Sequence, residues 1–312
     1  MIKIQTNTST VDDFYDSIHK LCTPQLKKTE KKKLKWEIEE KALDTLLQKK
    51  LKKFDKDVTL QKLVKADYNY LKSLVCFLDA NKTIKLTKKE RDYFLTMYSR
   101  LKKATFIKKL NIQVCPYCNR NYIFNFSRNN EQQVTAQLDH FFDKKKYPFL
   151  AVSMYNLIPS CATCNQRKSS KQENIFYPYS ESFNDNAKFS YSLKVNDDKH
   201  SIFTIENIHL AIEAKRSISQ INEDKVLQHI KMFNLENLYN EHKDIVLELI
   251  QKREIYPDSY IEELLNQYEG TLFNNREDIL RLITCGYVED RDLHKRPLSK
   301  LIKDISEELE LL

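Results

Sequence analysis

The sequence predicts an α+β fold, mainly helical, in which two helical flanks enclose a central strand-bearing module stapled by metal. Three observations lead there. Only two glycines, Gly270 and Gly286, and seven prolines occur in 312 residues, too few for Gly-rich phosphate loops, long flexible linkers or a chain of tight hairpins. Apolar residues recur at helical spacing over both flanks. Near Ile112 that period gives way to aromatic and β-branched runs, and four cysteines fall there as two Cys-x-x-Cys pairs. The length suits one large or two modest domains. The expected division is a basic helical domain over 1–110, a stapled module over 111–180, a β-hairpin extension over 181–215 and an acidic helical segment over 216–312.

From Val11 to Leu110 the spacing of residues such as Leu43, Leu46, Leu47, Leu51 and Phe54, with lysines between them, predicts four or five helices. Thr87 followed by Glu90 offers a capping box that would start one of them. Asn121–Phe126 reads as a strand, Ser127–Gln132 as a turn and Val134–Phe141 as a second strand, together a hairpin ending at Asp139 and His140. Asn156–Pro159 reads as a short extended piece, after which Ser160 would cap a helix carrying Cys161, Cys164, Asn165 and Lys168. Lys188–Val195 and Ser201–Ile208 read as another hairpin across the polar turn Asn196-Asp197-Asp198, and amphipathic helices return beyond Ile218.

Net charge is +8 but uneven. Residues 1–110 carry 27 Lys+Arg against 14 Asp+Glu, residues 111–180 carry 8 against 4, and residues 181–312 carry 17 against 26. A basic front and middle suit a polyanion, and the acidic rear suits a protein partner. The run Lys27–Lys35 is the densest positive patch, with phosphate contact and a solvated helix start as its two readings. No stretch approaches 18 uncharged apolar residues and the start has no apolar core of signal-peptide length, which predicts a cytoplasmic protein with no membrane span. Cys22, Cys76 and Cys285 lie in apolar stretches and are expected to be buried.

Cys115-Pro116-Tyr117-Cys118 and Cys161-Ala162-Thr163-Cys164 place two thiolates on each of two tight turns. In a reducing compartment such pairs point to metal rather than disulfides, and four thiolates close a tetrahedral Zn²⁺ with no position left for chemistry. Chemistry must come from what lies between the knuckles. Asp139, His140, Asn156 and Asn165 supply an oxygen ligand, a titratable imidazole and two amides, which suit a hard ion beside a general base. The other histidines show no pairing at metal spacing.

The motifs Cys115-x-x-Cys118, Leu138-Asp139-His140-Phe141, Tyr147-Pro148, Tyr155–Ser160 and Cys161-x-x-Cys164-Asn165-x-x-Lys168 occur in one order. In this the span Cys115–Lys171 resembles the HNH endonucleases of the ββα-metal class, and within them the zinc-knuckled HNH proteins of bacterial anti-phage systems such as Septu and its retron-associated relatives. The tail Arg296–Leu301 is similar to such proteins as well. The resemblance covers under a fifth of the chain. It implies a metal-dependent nuclease acting on nucleic acid, expected to be DNA, with control by a partner ATPase. By position it makes His140 the general base, Asp139 and Asn165 the ligands of one Mg²⁺ or Mn²⁺, Asn156 a brace for the loop that aims the histidine, and Lys168 with Arg167 the phosphate contacts. Asn165 departs from the name-giving pattern, which has His there; an amide oxygen still serves a hard ion. The alternatives are a non-catalytic zinc-stapled module binding nucleic acid or protein, and an RNA nuclease acting for example on transfer RNA.

Overall fold

The computed structural model describes residues 2–22, 39–171, 174–194 and 204–312. The lysine run 27–35 and the turn 196–198 lie outside those residues. The first part of the chain forms α1 (Thr8–Cys22), α2 (Glu40–Leu51), α3 (Leu60–Lys65), α4 (Tyr68–Ala80), α5 (Lys88–Arg100) and α6 (Lys103–Leu110). That is more helices than the apolar period predicts, because backbone breaks divide it. Ala66 leaves the helical region with ψ 131° and Asp67 recaps the next helix by accepting from Tyr70 N, while Leu101 with ψ 130° parts α5 from α6. The Thr87–Glu90 capping box is present with both of its hydrogen bonds.

Among the described residues, three two-stranded sheets follow. β1 (Asn125–Arg128) pairs antiparallel with β2 (Glu131–Val134). The turn between them is Asn129-Asn130, with φ of 51° and 62°, and two successive left-handed residues are what the twist of a two-residue hairpin requires; asparagine tolerates that region better than most residues. β3 (Gln137–His140) pairs instead with β4 (Leu157–Ser160), with Asp139 opposite Ile158 and His140 opposite Leu157. The expected hairpin from 121–126 to 134–141 is therefore corrected: it closes early on its two asparagines, and Asp139 and His140 belong to a separate, buried pair. β5 (Ala187–Leu193) pairs with β6 (Ile208–Ala214), so the second strand starts where sequence placed its end.

α7 (Ala162–Lys168) follows β4. Its cap is Cys161, whose Sγ accepts from Cys164 N, not Ser160, which is the last residue of β4. After α8 (Phe183–Asn186), the acidic rear is helical as expected: α9 (Gln220–Phe233), α10 (Leu235–Asn240), α11 (Lys243–Ile255), α12 (Asp258–Tyr268), α13 (Arg276–Thr284) and α14 (Ser299–Glu308). The protein is mainly helical, and no described helix is long and apolar enough to cross a membrane. One hydrophobic cluster runs from Ile4 to Leu311 and includes all four knuckle cysteines. Cys22 is buried, but Cys76 and Cys285 are exposed. α4 turns Leu71, Leu74, Val75 and Leu78 inward, which leaves Cys76 outside, and Cys285 is the left-handed cap of α13 with φ 57°.

Candidate metal centre and adjoining cleft

The four sulfurs of Cys115, Cys118, Cys161 and Cys164 lie within 4.8 Å of one another, and all four residues are buried. A tetrahedral ion with Zn–S bonds of about 2.3 Å spaces its sulfurs about 3.8 Å apart, and Cys118 Sγ stands 4.0 Å from Cys161 Sγ. The cluster fits Zn²⁺ in spacing and in ligand type. Burial raises the Cys115 thiol well above its ordinary range, whereas hydrogen bonds from neighbouring thiols lower Cys118 and Cys161; four buried thiolates side by side repel one another unless a cation lies between them. N–H groups converge on them: Arg120 N donates to Cys118 Sγ at 3.4 Å, Cys164 N to Cys161 Sγ at 3.5 Å and Asn121 Nδ2 to Cys161 Sγ at 3.3 Å. Such donors orient sulfur ligands and tune the ion they hold.

Distant parts of the chain lock the first knuckle. Asn119, left-handed at φ 51° and fully buried, closes the turn by donating from its amide to Cys115 O at 2.8 Å. Its side chain donates to Leu293 O at 2.8 Å and accepts from Lys300 N at 3.0 Å, and its carbonyl accepts from Leu298 N at 2.6 Å. Tyr239 of α10 donates to Cys118 O at 2.7 Å, and His229 of α9 to Tyr117 O at 2.9 Å. The Tyr117 ring stacks on Phe233 at 4.7 Å.

The cysteine cluster is linked to Asp139 through Tyr117, a residue between two of its cysteines. Tyr117 Oη donates to Asp139 Oδ2 at 2.8 Å, and Lys168 Nζ stands 3.1 Å from the same oxygen. Burial holds the Asp139 carboxyl above the usual carboxylate range, with Lys168 opposing that rise. Lys168 also donates to His140 O at 2.9 Å and Phe141 O at 3.1 Å, and only 2% of it is exposed. The phosphate contact expected of Lys168 is thereby corrected: its ammonium is enclosed by Asp139 and two carbonyls, since the α7 face that carries Cys164 turns it inward as well. Arg167 is on α7 and partly exposed.

Asp139, His140 and Asn165 line one cleft with Tyr98, Lys103, Ala136, Gln137, Leu138, Asp143, Lys144 and Ser169. Its volume, about 470 Å³, corresponds to about fifteen waters at roughly 30 Å³ each, room for a phosphodiester. His140 Nε2 lies 3.0 Å from Ala151 O. A carbonyl only accepts, so Nε2 carries the proton and Nδ1 keeps the basic lone pair. Burial, then the charge of Lys144, pushes His140 down to about 3, and the ring is neutral at pH 7. Asn156 is fully buried; its Oδ1 accepts from Phe142 N at 2.7 Å, and its Nδ2 donates to Phe142 O and Leu150 O at 3.0 Å each. It fixes the loop whose next carbonyl, Ala151 O, holds the histidine. Asn165 Nδ2 donates to Gln137 Oε1 at 2.5 Å, which leaves its own oxygen as the acceptor at the cleft.

Sequence reading did not find Tyr98, Lys103, Lys144 or the role of Tyr117. The Tyr98 ring meets His140 edge-on at 4.4 Å, and Lys103 and Lys144 stand 4.5 and 4.1 Å from its centroid. Burial, then Lys103, lowers the Lys144 ammonium. The run Lys144-Lys145-Lys146 was the available signal; Tyr98 and Lys103 come from α5 and α6, which no motif ties to the knuckles. As for the donor set, one carboxylate and one amide oxygen suit a hard cation that keeps most of its waters, as Mg²⁺ does, while Lys168 beside Asp139 competes with it.

No protein-family model matches the chain, and no solved structure does. Over 100 residues it is 35% identical to the Septu protein PtuB of Bacillus thuringiensis, which covers 31% of this chain and 36% of that protein. The match thus spans about a third of the relative's length. This similarity is to the Septu group that the motifs had pointed to, and it relates the chain over that stretch to a Septu protein.

Proposed function

We propose that the protein is a metal-dependent endonuclease of HNH type, hydrolysing nucleic-acid phosphodiesters, with DNA as the expected substrate. The observation that carries this reading is the meeting of Asp139, His140 and Asn165 on one cleft beside a four-cysteine cluster. His140, donating through Nε2 to Ala151 O, presents Nδ1 as the base that takes a proton from the attacking water. Asp139 and Asn165 would hold Mg²⁺ or Mn²⁺, which when bound stabilises charge on the phosphate and the leaving oxygen. Lys103 and Lys144 supply positive charge beside the reacting phosphate, and Tyr98 packs the imidazole edge-on. Plasmid incubated with Mg²⁺ or Mn²⁺ should be cut by the wild type and not by His140→Ala. Equal cutting by both removes His140 from the role.

Similarity to a Septu protein supports a place in anti-phage defence, as an effector held in check by a partner ATPase that docks on the acidic rear helices. Deletion of that rear cannot test the docking, because α9, α10 and residues 293–300 lock the first knuckle. Charge reversal at exposed Glu263 and Glu269 should instead abolish co-purification with the partner ATPase, and unchanged co-purification refutes the surface. One observation favours the second reading, a zinc-stapled module that binds without cleaving: Lys168 already engages the Asp139 carboxylate. That reading requires nucleic-acid binding without scission in either metal.

A further inference from the structure

Three aromatic side chains on or just before β1 are turned outward. Tyr122, Phe124 and Phe126 are 41%, 44% and 46% exposed, at period two; Phe126 lies in β1, and Tyr122 and Phe124 in the residues leading into it. The alternate residue Ile123 is fully buried, and Asn125 is partly so. Residues 122–126 therefore have an inner face that packs and an outer face that any polar residue could occupy, and three large rings occupy it. A single exposed apolar side chain needs no explanation, but a contiguous row marks a contact surface.

Place and charge identify what the row meets. Phe124 N donates to Thr135 Oγ1 at 2.9 Å, and Thr135 N donates to Phe124 O at 3.0 Å. Two residues further on, Gln137 lines the cleft and accepts from Asn165. Exposure alternates without a break from Gln133 through Thr135 to Gln137, so the aromatic face runs into the cleft along one side of the chain. Arg128 extends the row at the far end, opposite Glu131, and Lys103 and Lys144 stand at the near end. Tyr122 and Phe124 lie nearly parallel, 4.2 Å apart at 21°. Flat rings beside cationic side chains suit nucleobases joined by phosphates, since every base has a π-face and stacking is indifferent to sequence.

We propose that the outer face of residues 122–126, running onto the β1–β2 ribbon, is a stacking platform for unpaired bases, so that the strand entering the Asp139–His140 cleft is single-stranded or locally unpaired nucleic acid. The link to the cleft rests on the nuclease reading above; the stacking itself does not.

The test uses the full chain, loaded with zinc and without added Mg²⁺ or Mn²⁺, and fluorescence anisotropy on three labelled probes: an oligothymidylate of about twelve nucleotides, an abasic strand of that length, and a blunt duplex. Wild type should bind the oligothymidylate more tightly than the abasic strand. Phe124→Ala with Phe126→Ala should weaken oligothymidylate binding about tenfold or more per ring, leave the abasic strand and duplex within about twofold, and keep the thermal midpoint. Phe124→Trp with Phe126→Trp should retain binding, and the corresponding double Leu variant should lose it. An equal loss on all three probes, a Leu variant that binds like wild type, or no loss in the Ala variant overturns the platform. Plasmid cleavage by the wild type alongside any of these sinks the platform alone, whereas probe discrimination without cleavage sinks the nuclease reading alone.

Discussion

Replacing Lys168 by methionine isolates the ion pair at the base of the cleft. The side chains of Lys168 and Asp139 are each 3% exposed, so neither charge has water to fall back on. Lys168→Met keeps most of the volume but leaves the carboxylate with Tyr117 alone and frees the carbonyls of His140 and Phe141. Removing one partner of a buried pair costs about 3–5 kcal/mol, which at this chain length lowers the thermal midpoint by about 6–10 °C at roughly 2 °C per kcal/mol. Adding Asp139→Asn removes the stranded charge, and the double variant should recover at least about half of that loss. Urea unfolding and thermal melts of wild type, both single variants and the double, all zinc-loaded, give the coupling energy directly. A Lys168→Met cost under about 1 kcal/mol, or a double variant as unstable as the sum of the singles, refutes the account of Lys168 as an internal counter-ion.

Four further outcomes follow from the same geometry. Cys118→Ser, or exhaustive chelation, should abolish bound zinc by elemental analysis and destabilise the fold by up to about 10 kcal/mol; an unchanged melt after chelation refutes the staple. Asn156→Ala orphans Phe142 N and Phe142 O and removes one of the two donors to Leu150 O, which keeps Ser153 N, and should cost about 2–4 kcal/mol in urea unfolding. His140 is pushed down to about 3 in the fold against about 6.5 in the unfolded chain, so the unfolded state takes up the proton first as pH falls. Its contribution is complete above pH 6.5 and is lost below it, about 1.4 kcal/mol between pH 7.5 and 5.5, and His140→Gln should flatten the wild-type slope by that amount. Lys103→Ala and Lys144→Ala should each lower the salt slope of nucleic-acid binding by about 0.9 if each meets one phosphate, and an unchanged slope removes that contact.

The parts of this protein that sequence reveals are those fixed by local chemistry. Two Cys-x-x-Cys turns are each a local pair of sulfurs suited to a metal ion, and Thr87 with Glu90 caps its helix by contacts three residues apart. Strand partnership is less legible: residues 134–141 have one hydrophobic pattern, but the Asn129-Asn130 turn uses the first of them, and β3 finds β4 across a loop. Lys168 shows the same gap from the other side. A lysine one turn beyond Asn165 looks like a phosphate contact in sequence, and only the packing of α7 against β3 shows that it faces Asp139. Tyr98 and Lys103 were invisible because nothing local couples α5 and α6 to a histidine some forty residues later.

The lock on Asn119 has a consequence for synthesis. Its side chain holds groups 174 and 181 positions later, so a ribosome that has finished both Cys-x-x-Cys turns must still translate well over a hundred codons before that side chain meets its partners. A polypeptide released before Leu293 lacks both of those bonds and the Leu298 N to Asn119 O bond between them.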